Sequence, residues 1–352
     1  MCNRRRCISF WMLLSAGLVA VLGAKVASAP AADNSPAPKA PDAFEQNRRL
    51  GRGVNIIGYD PLWRDRARAR FQNEHFRLIR AAGFNNVRIV LHPFQYGKAD
   101  KDHKLGDAWF ATLDWAVEQA LANKLMVILD FHEFQEMARA PQDHKDRFLA
   151  MWKQIARRYK DAPSEVLFEI LNEPNGKLTP ELWNQYLREA LAIMRATNPT
   201  RTIIIGPGTW NNINSLEKLD LPEDDRNIIV TVHYYSPFPF THQGAPWAGL
   251  RDKVGVSWNG TPAEQAAVTK DFEKAQAWAK KHNRPIFLGE FGAYDKGEMA
   301  SRVRWTSFVT REAEKLGWSW AYWQFDSDFI VYDIPGKKWI EPIRDALIPA
   351  KK

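Results

Sequence analysis

The chain has 352 residues, 45% of them hydrophobic and 26% charged. That is the balance of an ordinary globular protein, and it excludes disordered, collagen-like and coiled-coil architectures. The formal charge is +8, but Arg4, Arg5, Arg6 and Lys25 supply half of it before the first acid, Asp33. Too little surplus remains to argue for nucleic acid as a partner.

Cys2 and Cys7 are the only cysteines, so the main body holds no disulfide framework, cysteine zinc site or cysteine nucleophile. Residues 1–29 have the make-up of a secretory signal peptide. The basic triplet Arg4-Arg5-Arg6 precedes an uncharged apolar run from Ile8 to Ala24, and the small residues Ala27-Ser28-Ala29 follow. The run stands at the lower limit for spanning a bilayer, so retention as an anchor is the alternative. Cleavage, a secreted or periplasmic location and no lasting membrane insertion are the expectation. Residues 30–45 are rich in Ala and Pro and read as a linker. No comparable linker interrupts 46–352, which is expected to be one catalytic-sized domain and a monomer.

Within that domain, eight short apolar runs recur: 53–56, 87–91, 126–129, 166–171, 202–205, 228–232, 285–288 and 318–323. Runs of this kind suit strands buried on both faces. Between them lie longer segments of helical spacing, such as 71–82, 109–123, 148–159 and 182–197. Alternating strand and helix implies parallel β/α units. Eight of them fit a closed (β/α)₈ TIM barrel better than an open sheet, and no glycine-rich dinucleotide-binding turn follows the first strand.

In such a barrel, catalytic groups gather at the C-terminal ends of the strands. Those positions carry Arg88 in the second strand, Asp130 and His132 after the third, and Asn172 and Glu173 after the fourth. His233 and Tyr235 follow the sixth, Glu290 ends the seventh and Trp323 the eighth. Taken alone, each glutamate also suits a helix cap or a structural ion pair. A pair of strand-end carboxylates is what acetal hydrolysis requires, one as proton donor and the other ionised beside the anomeric carbon.

The runs Leu171-Asn172-Glu173-Pro174 and Gly289-Glu290-Phe291-Gly292 resemble the strand-four and strand-seven motifs of retaining glycoside hydrolases. Together with Arg88, His132, His233, Tyr235 and Trp323 they resemble glycoside hydrolase family 5, the cellulase family, in matching order from about Gly53 to Trp323. The resemblance implies Glu173 as acid/base and Glu290 as nucleophile. Asn172 would bond the sugar 2-hydroxyl, and Tyr235 and Arg88 would hold Glu290 ionised. His233 would neighbour the acid/base, His132 would line the reacting-sugar subsite, and Trp323 would stack on that sugar. Asp130 is read as structural. Trp63, Trp210, Trp247 and Trp258 are candidate sugar platforms, or equally core and lid packing.

His132-Glu133 resembles the start of a zinc-protease helix, but the fifth position is Glu136 rather than His; no metal and no cofactor are expected. The reading is a secreted retaining β-glycanase, an endo-β-1,4-glucanase acting on a β-linked polysaccharide or oligosaccharide. The alternatives are the same mechanism on mannan, xyloglucan or β-1,3-glucan, a glycan-binding barrel without activity, and a metal-dependent barrel hydrolase. The segment 235–247, rich in Pro and aromatics, reads as a stiff substrate-facing loop.

Overall fold

The computed structural model of the protein describes residues 41–350; the signal segment 1–29 and most of the linker 30–45 lie outside the described residues. Eight parallel strands pair in sequence order: β1 (Arg52–Ile56), β2 (Asn86–Leu91), β3 (Met126–Phe131), β4 (Val166–Glu169), β5 (Ile203–Ile205), β6 (Ile228–Tyr234), β7 (Ile286–Phe291) and β8 (Ser319–Tyr322). β1 pairs with both β2 and β8, which closes the barrel. Every residue of β2 to β8 is buried, because one face of each strand meets the barrel interior and the other meets the helix layer.

The longer helices are α1 (Ala43–Leu50), α2 (Asn73–Ala82), α3 (Asp107–Ala122), α4 (Pro141–Arg158), α5 (Pro180–Arg195), α6 (Pro262–His282), α7 (Met299–Lys315) and α8 (Glu341–Leu347). Their ends follow local chemistry. α6 starts with a Thr261–Glu264 capping box and Pro262 in its first turn, and it stops at left-handed Asn283 after Lys280, Lys281 and His282. α4 begins at Pro141, earlier than the expected 148, because proline suits a first helical turn and the polar start of the helix hides its period.

Two expectations need correction. Asp130, His233 and Glu290 lie inside their strands rather than beyond them, since Asp130 pairs with Val90 and His233 with Glu290. The crossover from β5 to β6 has no long α-helix, only a four-residue turn at Gly208–Asn211 and a 3₁₀ turn at Ile213–Lys218. Its Pro, Gly and Asn residues favour turns, and the segment is used to wall the cleft described below.

The linker boundary also moves. Asp42 accepts the Glu45 amide at 2.9 Å and caps α1, so residues 43–45 belong to the folded body. Ala43 and Leu50 pack on Met126, Ile128, Leu167, Ile204, Ile229, Phe287 and Ala321, the bottom layer of the barrel interior. α1 therefore plugs the N-terminal mouth, leaving the opposite mouth for chemistry. Leu50 is fully buried in that plug. Leu50→Ala is expected to cost about 2–5 kcal/mol of stability and to leave KM unchanged, read by urea unfolding beside steady-state kinetics; a changed KM at full stability would contradict the plug assignment.

Candidate active site

Arg88 stands at the centre of the C-terminal mouth, fully buried. Its Nε and Nη2 donate to Glu169 at 2.7 and 2.8 Å. Nη2 also donates to Asn172 Oδ1 at 2.7 Å, and Nη1 donates to Asn55 Oδ1 and Glu290 Oε1, both at 2.8 Å. Asp130 lies 3.1 Å from Nη2. All five N–H groups of the guanidinium are thus engaged. Burial alone would lower the pKa of Arg88, but Asp130, Glu169 and Glu290 hold it well above its ordinary value.

Around this cation the other seven expected residues form one constellation. Glu290 Oε1 is bound by Arg88, and its Oε2 accepts from the Tyr235 hydroxyl at 3.1 Å. Glu173 Oε1 lies 2.8 Å from His233 Nδ1, which is also 3.6 Å from Glu290 Oε2. His132 Nδ1 donates to Asp130 Oδ2 at 2.6 Å, and its Nε2 accepts from Asn172 Nδ2 at 3.3 Å. Trp323 is stacked against His132, with centroids 5.4 Å apart and planes 10° apart. Asn172 is 1% exposed; both ends of its carboxamide already have protein partners.

Backbone geometry explains how these groups converge. Glu173 has φ of 44°, a left-handed conformation that a non-glycine residue keeps only when its surroundings over-determine it. The β6–β7 ladder slips one residue between Val232 and His233, which sets His233 opposite Glu290. Gly289 is required there: a Cβ would lie 2.5 Å from Thr231 Oγ1 and 3.1 Å from His233 Nε2.

Burial raises both glutamates. Burial pushes Glu173 up to about 8, with Arg88 opposing. Burial also pushes Glu290 up to about 7, opposed by His233 and Arg88 and reinforced by Glu173. Arg88 therefore limits the rise of Glu290 without bringing it below the ordinary carboxylate value. The imidazoles move the other way: burial lowers His233 to about 4 and takes His132 well below its usual value. Both rings are neutral at pH 7.

The cleft above has a volume of about 1150 Å³. Trp210 and Trp247 line it and are 52% and 58% exposed, whereas Trp63 and Trp258 are 4% and 2% exposed and belong to the core. The four candidate platforms divide evenly. The 235–247 loop does face the cleft, through Ser236, Phe238, His242 and Trp247. Buried Gln243 braces it: its Oε1 accepts from the Gly255 and Val256 amides and its Nε2 donates to the Phe240 and Val256 carbonyls.

Several site residues escaped the sequence reading. Glu169 and Asn55 were legible in principle, each a polar residue inside an apolar strand run. Tyr59 lines the cleft edge-on to Trp323, at 6.3 Å and 81°, and His92 lies beneath it; no sequence pattern marks either. Glu173, His233 and Glu290 also offer ligand atoms within 4.8 Å of one another, as a metal site would. Arg88 on Glu290 sets a fixed positive charge against any cation there.

A model of the cellulase family, glycosyl hydrolase family 5, matches residues 49–328. Endoglucanase H of Acetivibrio thermocellus is 31% identical over 324 residues, which is 89% of this chain and 34% of that protein. Endoglucanase 3 of Fibrobacter succinogenes is 26% identical over 351 residues, 85% of this chain and 52% of its own length. The chain thus spans only a third to a half of these two relatives. Among solved structures, Thermotoga maritima Cel5A in complex with cellobiose has a TM-score of 0.83 at 46% identity, covering 87% of this chain and 100% of that one. Cel5A in complex with mannotriose gives 0.83 at 45%, with the same coverage.

Removing a partner of a buried charge leaves that charge uncompensated. Glu169→Ala is expected to lose about 3–5 kcal/mol of stability and Glu169→Gln, which keeps an acceptor, clearly less. Unfolding in urea reads both; an Ala variant as stable as the parent would show that Arg88 does not depend on Glu169.

Proposed function

The chain belongs to the cellulase family, glycosyl hydrolase family 5, and from that membership we propose that it is a retaining endo-β-1,4-glucanase working by double displacement. One observation supports the mechanism: Glu173 and Glu290 are close enough to share His233 Nδ1, at 2.8 and 3.6 Å, with an oxygen of one within 4.8 Å of an oxygen of the other. Retaining enzymes set their carboxyl groups about 5–5.5 Å apart, and inverting enzymes about 6.5–9.5 Å, to admit a water.

In the first step an ionised Glu290 oxygen forms a bond to the anomeric carbon while the bond to the leaving oxygen breaks. Glu173 gives its proton to that oxygen. In the second step a water oxygen attacks the same carbon, the ester bond to Glu290 breaks, and the water's proton goes to Glu173. Burial raises the pKa of Glu173 and suits it to hold a proton at neutral pH. The Arg88 and Tyr235 bonds suit Glu290 to carry charge. Trp323 offers a face to the reacting sugar, Asn172 steadies Arg88 and His132 beneath it, and Trp210 and Trp247 offer platforms along the cleft. No metal takes part, so EDTA should leave the rate unchanged.

β-1,4-Glucan is the proposed substrate because the endoglucanase relatives and the cellobiose complex point to it. Mannan is the second reading, favoured by the mannotriose complex of a 45% identical relative. Hydrolysis of a panel of glucans and mannans decides between them. Export through residues 1–29 accompanies this reading, and sequencing the mature N-terminus after expression in a bacterial host tests it. Among the described residues no helix is long and apolar enough to cross a membrane.

Three outcomes test the roles. The first product released should be the β-anomer by NMR; an initial α-anomer contradicts double displacement. Azide should restore turnover to Glu290→Ala as an α-glycosyl azide, and to Glu173→Ala on dinitrophenyl glycosides as a β-azide; the reverse pattern exchanges the roles. With pH, kcat/KM should fall as acidity protonates Glu290, and fall again as alkali deprotonates Glu173. Both limbs should sit above the ordinary carboxylate range, because burial raises both groups. Glu173→Ala on an activated substrate should lose the alkaline limb alone.

A further inference from the structure

The turn after β5 takes an unusual course. Thr209, Trp210 and Asn211 have φ of 60°, 58° and 52°, three consecutive left-handed residues, none of them glycine. The turn sends Trp210 out to the cleft, 52% exposed, and Asn211 into the barrel mouth, fully buried. Asn211 Nδ2 then lies 3.2 Å from His233 Nε2. That is the only hydrogen bond Nε2 makes among the described residues. On its other side sits Gly289, where no side chain fits.

His233 is neutral and has one ring proton to place. Its Nδ1 faces two carboxyl groups, Glu173 Oε1 at 2.8 Å and Glu290 Oε2 at 3.6 Å, so the proton belongs on Nδ1. That leaves a lone pair on buried Nε2, and a buried acceptor without a donor is costly. Asn211 Nδ2 supplies the donor; its own Oδ1 is buried without a partner, so among the described residues the bond to Nε2 is the one that orients the carboxamide. Had its carboxamide oxygen faced Nε2 instead, the ring proton would sit on Nε2 and a bare Nδ1 lone pair would face Glu173.

We propose that Asn211 is a positioning residue that fixes the tautomer of His233 and thereby decides which oxygen of Glu173 carries the catalytic proton. With Nδ1–H donating to Oε1, that oxygen is an acceptor in both states of Glu173. The proton must then reside on Oε2, the oxygen His233 does not bind, where it is available to the leaving group. Without Asn211 the Nε2–H tautomer becomes accessible. Nδ1 can then accept a proton from Oε1–H and hold it away from the leaving oxygen. The inference rests on Glu173 being the acid/base, as proposed above.

The test uses the full-length enzyme and a series of aryl β-glycosides of rising leaving-group pKa. Asn211→Leu keeps roughly the shape of the side chain and removes the donor, and Asn211→Ala is the second variant. Both are expected to retain kcat/KM within about twofold on the dinitrophenyl glycoside, which needs little protonation. On unactivated aryl glycosides they should lose about tenfold or more, so the dependence on leaving-group pKa steepens. That slope does not depend on how much of the variant is folded. An unchanged slope, whether the rates fall uniformly or not at all, overturns the proposal and leaves Asn211 a packing residue. Glu173→Ala, run in parallel, must steepen the slope itself; if it does not, the acid/base assignment fails rather than the role of Asn211. Nitrogen NMR of ¹⁵N-histidine in the wild type gives a reading that needs no variant. A proton on Nδ1 of His233 is expected, and a proton on Nε2 overturns the proposal.

Discussion

Taking the Arg88 guanidinium out of water carries a large desolvation cost, and the barrel offsets it by aiming a carboxylate or amide oxygen at every one of its N–H groups. Those oxygens come from β1, β4, the segment after β4, and β7. Asn55, one of them, turns its own amide to the carbonyls of Gly289, Ala321 and Tyr322. The same bonds that keep Arg88 charged therefore tie β7 and β8 to the opposite side of the mouth. Precision at Glu290 and stability of the barrel closure rest on one set of contacts.

One cation among Asp130, Glu169, Glu173 and Glu290 cannot neutralise four ionised carboxylates. The structure resolves this by burial: Asp130 is pushed up to about 7, Glu169 is raised, and both imidazoles are kept neutral. Glu290 has direct bonds from Arg88 and Tyr235. Among the described residues Glu173 has only the ring of His233, and burial raises its pKa as well. Two chemically identical side chains thereby have different partners, which is what an acid and a nucleophile sharing one site require.

The sequence carried much of this plainly. Eight apolar runs separated by helical spacing specified the barrel, because a strand buried on both faces leaves a continuous apolar signature. The strand-end polar residues stood out against that background, and the structure brings all eight into one constellation. What stayed hidden depends on contacts with no local signature. Glu169 looks like a stray charge until Arg88 is placed beneath it. Asn211-Asn212 reads as an ordinary turn, and only the left-handed course of the backbone directs Asn211 to His233. The division of Trp63 and Trp258 from Trp210 and Trp247 was invisible as well, since composition does not say which side of a loop an indole faces. Residues 43–45 looked like linker because the cap that starts α1 is a single aspartate next to Ala/Pro-rich sequence.

The central claim is that Glu290 bonds covalently to the sugar. Incubation with a dinitrophenyl 2-deoxy-2-fluoro-β-cellobioside, which slows the second step more than the first, should trap that species for peptide mass spectrometry. A 2-deoxy-2-fluorocellobiosyl increment on the peptide containing Glu290, absent from the Glu290→Ala variant, is the predicted result. An increment on Glu173, or continued turnover of the probe with no covalent species at any time, would contradict the account.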